Sequence, residues 1–188
     1  ADLFCGSGTL PIEAAMKALN MAPNMRRTFD FERWNCVPAD VAKRAREEAE
    51  SAVLHGVKPC IYGADINPEA ISIAKYHAKK AGVEHCIRFE VADARKFTST
   101  QKYGVLISNP PYGERLSDTQ AVQSLMRDLG KTFRALPDWS AYLLTSLPQL
   151  ERWFGKNADK KKKLYNANLP CGLYAYFGKP PKADDKQP

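Results

Sequence analysis

Apolar positions recur along the chain at two spacings, and the alternation between the two lays out the fold. Residues 1–5, Ala-Asp-Leu-Phe-Cys, read as the end of a strand. Leu10, Ile12, Ala15, Met16 and Leu19 then fall on one helical face, with Pro11 suited to the first turn. Residues 21–38 lose that period and carry prolines and aromatics, so they read as an excursion from the fold. A helix resumes over 39–56, with Asp40 as N-cap and Gly56 as its stop. A short strand over 59–67 ends in an acid, Asp65. The next helix has Asn67 as N-cap, Pro68 at its first position and Gly82 beyond its end. Residues 85–94 form a second acid-terminated strand, and 102–112 a third that runs into Asn109-Pro110-Pro111-Tyr112. A helix over 118–136, a strand over 139–147 and a short helix near 148–154 follow. Residues 160–179 read as two strands joined by a turn near 168–172.

Strand and helix alternate through most of this series, which predicts an α/β fold with a mostly parallel, doubly wound sheet. The final two strands have no helix between them and predict an antiparallel pair at one edge. The first strand is truncated, so the chain reads as a fragment with more protein upstream. A single domain is expected over residues 1–180, with 181–188 as a disordered tail.

Composition narrows the function only a little. The 28 Lys and Arg residues against 21 Asp and Glu give a net charge of +7, which favours a polyanionic partner. Cys5, Cys36, Cys60, Cys86 and Cys171 are odd in number and form no CxxC pair. Neither a disulfide framework nor a zinc site is expected, and a reducing, cytoplasmic setting fits. The three histidines show no ligand spacing, so no metal is expected. No apolar run has membrane-spanning length, so no membrane association is expected.

The chemistry lies in four polar strand ends, because ligands of open parallel sheets bind beyond the carboxyl ends of the strands. The first is Asp2-Leu-Phe-Cys5-Gly6-Ser-Gly8, whose glycines allow close backbone approach ahead of a helix N-terminus. Pro11 stands where a dinucleotide fingerprint needs its third glycine, and no P-loop lysine follows. Asp65 can accept two hydrogen bonds from a ribose diol. Asp93 can accept one from an adenine amino group. The fourth end, Asn109-Pro110-Pro111-Tyr112, has two prolines that fix φ and stiffen the loop. Each end alone also reads as an ordinary turn or a solvated acid; the four in order are what points to a site.

Together these motifs resemble the Rossmann-like methyltransferases that use S-adenosylmethionine to methylate exocyclic amino groups. More narrowly, Phe-Cys-Gly-Ser-Gly-Thr-Leu-Pro-Ile-Glu-Ala-Ala (4–15), Phe-Asp-Phe-Glu-Arg-Trp (29–34) and Asn-Pro-Pro-Tyr-Gly-Glu-Arg (109–115) resemble the bacterial rRNA guanine-N2 methyltransferases. In that family the catalytic domain follows an RNA-binding THUMP domain. The resemblance implies that Asp2, Cys5, Gly6 and Gly8 flank the methionine part of the cofactor. It implies that Asp65 holds the ribose hydroxyls, Ile66 lines the adenine pocket and Asp93 holds the adenine amino group. Asn109, Pro110 and Tyr112 are implied to hold the target base, and Arg115 to contact substrate or anchor the loop.

The same chemistry on DNA adenine N6 or tRNA guanine N2 stays open, as does a non-catalytic domain that binds cofactor or RNA. A glutamine methyltransferase and an NAD-dependent dehydrogenase fit the charge and the glycine pattern less well. Arg26 and Arg27 with Phe29, Phe31 and Trp34 have a composition suited to single-stranded RNA, yet the aromatics are expected to pack the excursion onto the core. Lys160–Lys163 reads as a solvated face or a guarded sheet edge rather than an RNA contact.

Overall fold

The computed structural model describes residues 1–25, 27–38, 40–112 and 116–181, with side chains of 116–119 left aside. Arg26, Arg115 and residues 182–188 therefore lie outside the described residues.

The elements in chain order are α1 (Thr9–Ala18), α2 (Val41–Ser51), β1 (Ile61–Asp65), α3 (Pro68–Ala81) and β2 (Ile87–Val91). They continue with β3 (Val105–Ser108), α4 (Leu116–Arg134), β4 (Ser140–Thr145), α5 (Leu150–Phe154), β5 (Lys160–Asn166) and β6 (Leu169–Tyr176). β1 and β2 form one parallel pair, and β3, β4, β6 and β5 form a second group in that order. The opening residues join the two. Asp2 donates its N–H to Tyr62 and accepts from Ala64 at 2.9 and 2.8 Å. On the other side, Ala1 donates to Val105 at 2.7 Å and accepts from Ile107 at 2.9 Å. The resulting order is β2–β1–opening segment–β3–β4–β6–β5. β3 and β4 run parallel, and β6 is antiparallel to both β4 and β5, as the missing crossover helix predicts.

Helices cover the sheet from two sides. Neighbours along a strand face opposite ways. Ile61 accordingly packs with Ile12, Ala15, Ile71, Ala74 and Phe89 under α1 and α3, while Tyr62 packs with the cluster under α4 and α5. Leu106, Met126, Leu129, Phe133, Leu143, Phe154 and Tyr176 fill that second cluster. Val105 and Ile107, which alternate with Leu106, stay exposed. Asn67 caps α3 through its side chain, accepting from Glu69 N–H, and Gly82 ends it with φ +80°.

Three expectations are corrected. α2 stops at Ser51, well before Gly56, because Leu54 N–H turns back to bond the Leu19 carbonyl of α1. Asp40 stands at its N-cap position without a side-chain cap and pairs with Arg44 instead. The hairpin turns at Ala167–Asn168, with Ala167 at φ +51°, and Pro170 and Gly172 lie inside β6. The excursion also departs from expectation. A single turn over Asp30–Arg33 is tied to α2 by the Glu32–Arg46 ion pair. Phe29 and Phe31 stack on one another at 5.8 Å under Arg27, and Phe31 and Trp34 remain exposed. These rings join neither core cluster.

Candidate active site

The strand order sets four neighbouring carboxyl ends side by side. Along that edge stand Asp93 after β2, Asp65 at the end of β1, the loop Cys5–Gly8 after the opening segment, and Asn109 after β3. Strands lie about 4.8 Å apart, so β2 to β3 is about 14 Å, the length of a nucleoside with a short appended chain.

The glycine loop is locked to its neighbours. Gly6 and Gly8 take φ +50° and +88°, a region that favours glycine. Gly6 N–H donates to Asp65 Oδ2 at 2.9 Å, and Asn67 N–H donates to Asp65 Oδ1 at 2.9 Å. Each carboxylate oxygen keeps acceptor capacity for a diol. A side chain at Gly6 would point into open space, whereas one at Gly8 would press on Ala74 at 3.0 Å. His77 Nδ1, 3.1 Å from the Ser7 carbonyl, has to donate there, and so backs the loop from α3.

Asp2 lies beneath the loop, 3% exposed. Its Oδ1 accepts from Phe4 N–H at 3.1 Å and from Ser108 Oγ at 2.8 Å, while Ser108 Oγ accepts from Leu3 N–H at 3.0 Å. Burial, only partly offset by these bonds, raises the Asp2 carboxyl to about 6. This strut links the glycine loop to the residue before Asn109. Ser108 was missed in the sequence; its one signal is a hydroxyl at an inward strand position. Burial pushes the Cys5 thiol up to about 12, so it stays protonated and is no nucleophile.

Ile66 follows Asp65 and is 67% exposed, a bare aliphatic face at a strand end. Asp93 is forked by Arg95, whose Nε lies 2.9 Å from both carboxylate oxygens, and also accepts from Arg95 N–H. The Arg95 side-chain bonds, with that backbone bond, hold its carboxyl down at about 2. Pro110 is fully buried, Asn109 is exposed and Tyr112 is half-buried. The Tyr112 hydroxyl donates to Asn109 Oδ1 and also faces Asn166 and Cys171 at the base of the β5–β6 tip. Burial, then the neighbouring Cys171, raises the phenol above its usual range. Sequence reasoning gave no hint that Asn166 and Cys171 stand there.

The structure thus brings Gly6 to Asp65, Asp2 to the Asn109 strand end, and Asn109 to Tyr112. Asp93 shares the edge but bonds only its own turn. Among the described residues no group of three or more His, Cys, Asp or Glu side chains could hold a metal ion, and no helix is long and apolar enough to cross a membrane.

Residues 1–175 match the family model described as UPF0020, RMKL-like methyltransferase domain. The chain belongs to that family. It is 38% identical over 178 residues to YpsC of Bacillus subtilis, whose name assigns it provisionally to the RNA methyltransferases. It is 39% identical over 180 residues to the ribosomal RNA large subunit methyltransferase K/L of Shewanella baltica. These matches cover 95% and 93% of the chain but only 46% and 25% of the relatives, so the chain spans less than half of either.

Among solved structures, a possible methylase from Clostridium difficile superposes with a TM-score of 0.93 at 46% identity, over 96% of this chain and 48% of that one. SMU.472, crystallised with S-adenosylhomocysteine, gives 0.92 at 41% over 96% and 48%. A protein from Listeria monocytogenes named as a predicted N6-adenine-specific DNA methylase gives 0.89 at 43% over 95% and 46%. The fold is that of a Rossmann-like methyltransferase.

Proposed function

We propose that this domain binds S-adenosylmethionine along the edge from Asp93 to Asn109 and methylates an exocyclic amino group in RNA, guanine N2 of large-subunit rRNA being the target. The observation that carries this reading is the strut Asp2–Ser108. It ties the glycine loop to the strand end that presents Asn109, with Pro110 buried behind it.

The residues fit the donor. Asp65 has free acceptor capacity for a ribose diol, Ile66 offers an apolar face to adenine, and Asp93 is an ionised acceptor at the far end. Gly6 leaves open the space where a methionine chain would lie. When bound, the donor supplies an electrophilic methyl carbon on a sulfonium.

The chain's own task is to orient a poor nucleophile, since an exocyclic amine shares its lone pair with the ring. The Asn109 side-chain oxygen accepts one amine hydrogen and the Pro110 carbonyl, which a shift of the loop has to uncover, accepts the other; this aims the lone pair and stabilises charge growing on nitrogen. Asn109 Oδ1 already takes the Tyr112 hydroxyl, and a carbonyl oxygen has two lone pairs, so it can serve both. An amide is a weak base, so the proton leaves after methyl transfer. Tyr112 stacks on the base. RNA selection by a THUMP-type domain elsewhere in a longer polypeptide belongs to the same proposal, supported by the part-length match to the relatives.

Asn109→Ala is expected to lower turnover by about a hundredfold with donor affinity held, as for loss of a group acting in the transition state. Near-normal turnover would remove Asn109 from the mechanism. The Listeria monocytogenes neighbour's name favours a second reading, adenine N6 of DNA. Mass mapping of methylated nucleosides after reaction with labelled donor separates the two.

A further inference from the structure

Four consecutive lysines form an unusual edge strand. β5 pairs with β6 on one side, and among the described residues nothing pairs with its other side. Lys163 stands level with Gly172, which in turn pairs with Thr145 at the carboxyl end of β4. Leu164, Tyr165 and Asn166 therefore run on past the end of β4, toward the candidate active site. There Asn166 and Cys171 meet the Tyr112 hydroxyl. The lysine run thus leads directly to the loop that holds the target base.

The side chains differ in what they are free to do. Lys161 pairs with Glu151 and lies 5.7 Å from the Tyr174 ring centroid, which fixes it to the domain. Among the described residues Lys160, Lys162 and Lys163 have no carboxylate partner. By strand alternation Lys160 and Lys162 share the face of Asn166, the side that Tyr112 touches. Lys163 and Tyr165 share the other face, with Lys163 Nζ 5.6 Å from the Tyr165 ring centroid. Tyr165 is 63% exposed, a ring left in water beside a cation. From Lys160 to Tyr165 the edge runs about 17 Å at the rise of a β-strand.

We propose that the outer edge of β5, with the tip of its hairpin, holds the single-stranded RNA segment flanking the target nucleotide. Lys160, Lys162 and Lys163 neutralise its phosphates, and Tyr165 stacks on a base beside the one delivered to Asn109. Unpaired cations in a row suit a polyanion, and an exposed ring beside them suits a nucleobase. The competing account is that the lysines only keep the edge from pairing with another chain. That account leaves Tyr165, and the convergence of the tip on Tyr112, without a role. The proposal rests on the RNA reading given above.

The test uses an in vitro transcript of large-subunit rRNA as probe, with binding followed over a range of salt concentrations. Lys160→Ala/Lys162→Ala/Lys163→Ala is expected to weaken binding about tenfold or more and to make the log–log salt slope shallower by about 2, at about 0.7 per single-strand phosphate contact. Donor affinity should not change, which reports that the variant is folded. Tyr165→Ala is expected to raise KM for the transcript about tenfold with kcat held, and Tyr165→Trp to restore it. An unchanged salt slope together with an unchanged KM overturns the proposal and leaves the lysines as edge guards. Equal competition by duplex DNA also overturns it. The same variants are read in the longer polypeptide that carries the proposed RNA-selecting domain; if that unsubstituted polypeptide neither binds nor methylates the transcript, the RNA reading itself has failed.

Discussion

Asp2 shows how one buried carboxyl serves a loop and carries a measurable penalty. Its Oδ1 anchors Phe4 N–H and the Ser108 hydroxyl, and both bonds would survive with an amide in its place. With its carboxyl raised to about 6 against an ordinary 3.8, the folded chain binds the proton over a pH window where the unfolded chain has lost it. The sign follows: stability is present below pH 4, falls as pH rises toward 6, and is level above that. The full span amounts to about 3 kcal/mol. Asp93 acts in the opposite sense and in a separate window, losing its contribution as pH falls from 3.8 toward 2. Asp2→Asn is therefore expected to match the parent chain near pH 4 and to be more stable by a few kcal/mol at pH 7. Denaturant unfolding at both pH values checks this; an equal gap at the two would show that burial does not strain the charge. At this scale Asp65 and Asn109 stand out in the sequence because each closes an apolar run, whereas Asp2 is marked only by the resemblance of its loop. Ser108 and Asn166 do not stand out, because their partners lie 106 and 54 positions away (Asp2 and Tyr112) and nothing local marks them.

Elements with strong local signals form where the sequence puts them. α3 has its N-cap, its first-turn proline and its closing glycine, and the structure follows all three. α2 has a regular pattern but no buried residue, so a single backbone bond from Leu54 to α1 decides where it ends. The hairpin misled for a different reason. Pro170 and Gly172 look like turn residues, yet β6 accommodates both, and Gly172 makes room for the Tyr174 ring. Close approach of elements is also invisible in sequence. Gly130 in α4 lies so near α5 that an added Cβ would sit 2.0 Å from the Phe154 carbonyl oxygen. Arg134 Nη1 donates to that same oxygen at 2.9 Å, so the carbonyl is held in place. Gly130→Ala should favour the isolated helix by about 1 kcal/mol yet destabilise the protein by about 1–3 kcal/mol, because overpacking outweighs propensity. Thermal unfolding of the variant measures the balance, and a gain in stability would mean that α5 shifts freely.

At the scale of the molecule, the alternation of elements made the parallel sheet and its antiparallel edge legible. The packing of the excursion was not: its aromatics satisfy one another and Arg27 instead of reaching the core. The proposed donor site draws on the ends of four adjacent strands, so a ligand there should stabilise the whole domain. Donor at about a hundred times its Kd should add about 2.7 kcal/mol and raise Tm by roughly 5–10 °C for a chain of this size. Asp65→Ala should abolish most of that shift, since it removes both the diol acceptor and the lock on Gly6. Differential scanning fluorimetry reads both; a shift that persists in Asp65→Ala would place the ligand elsewhere.

Among the described residues, the backbone hydrogen bonds that join the two strand groups run through the first few residues, which bond β1 on one side and β3 on the other. Asp65 and Asp93 belong to one group, and Asn109 and Tyr112 to the other. In the proposed reaction that seam acts as a ruler between giver and receiver. A slip of one residue along it would displace one group against the other by about 3.3 Å, as much as the whole gap across which the proposed methyl transfer would run.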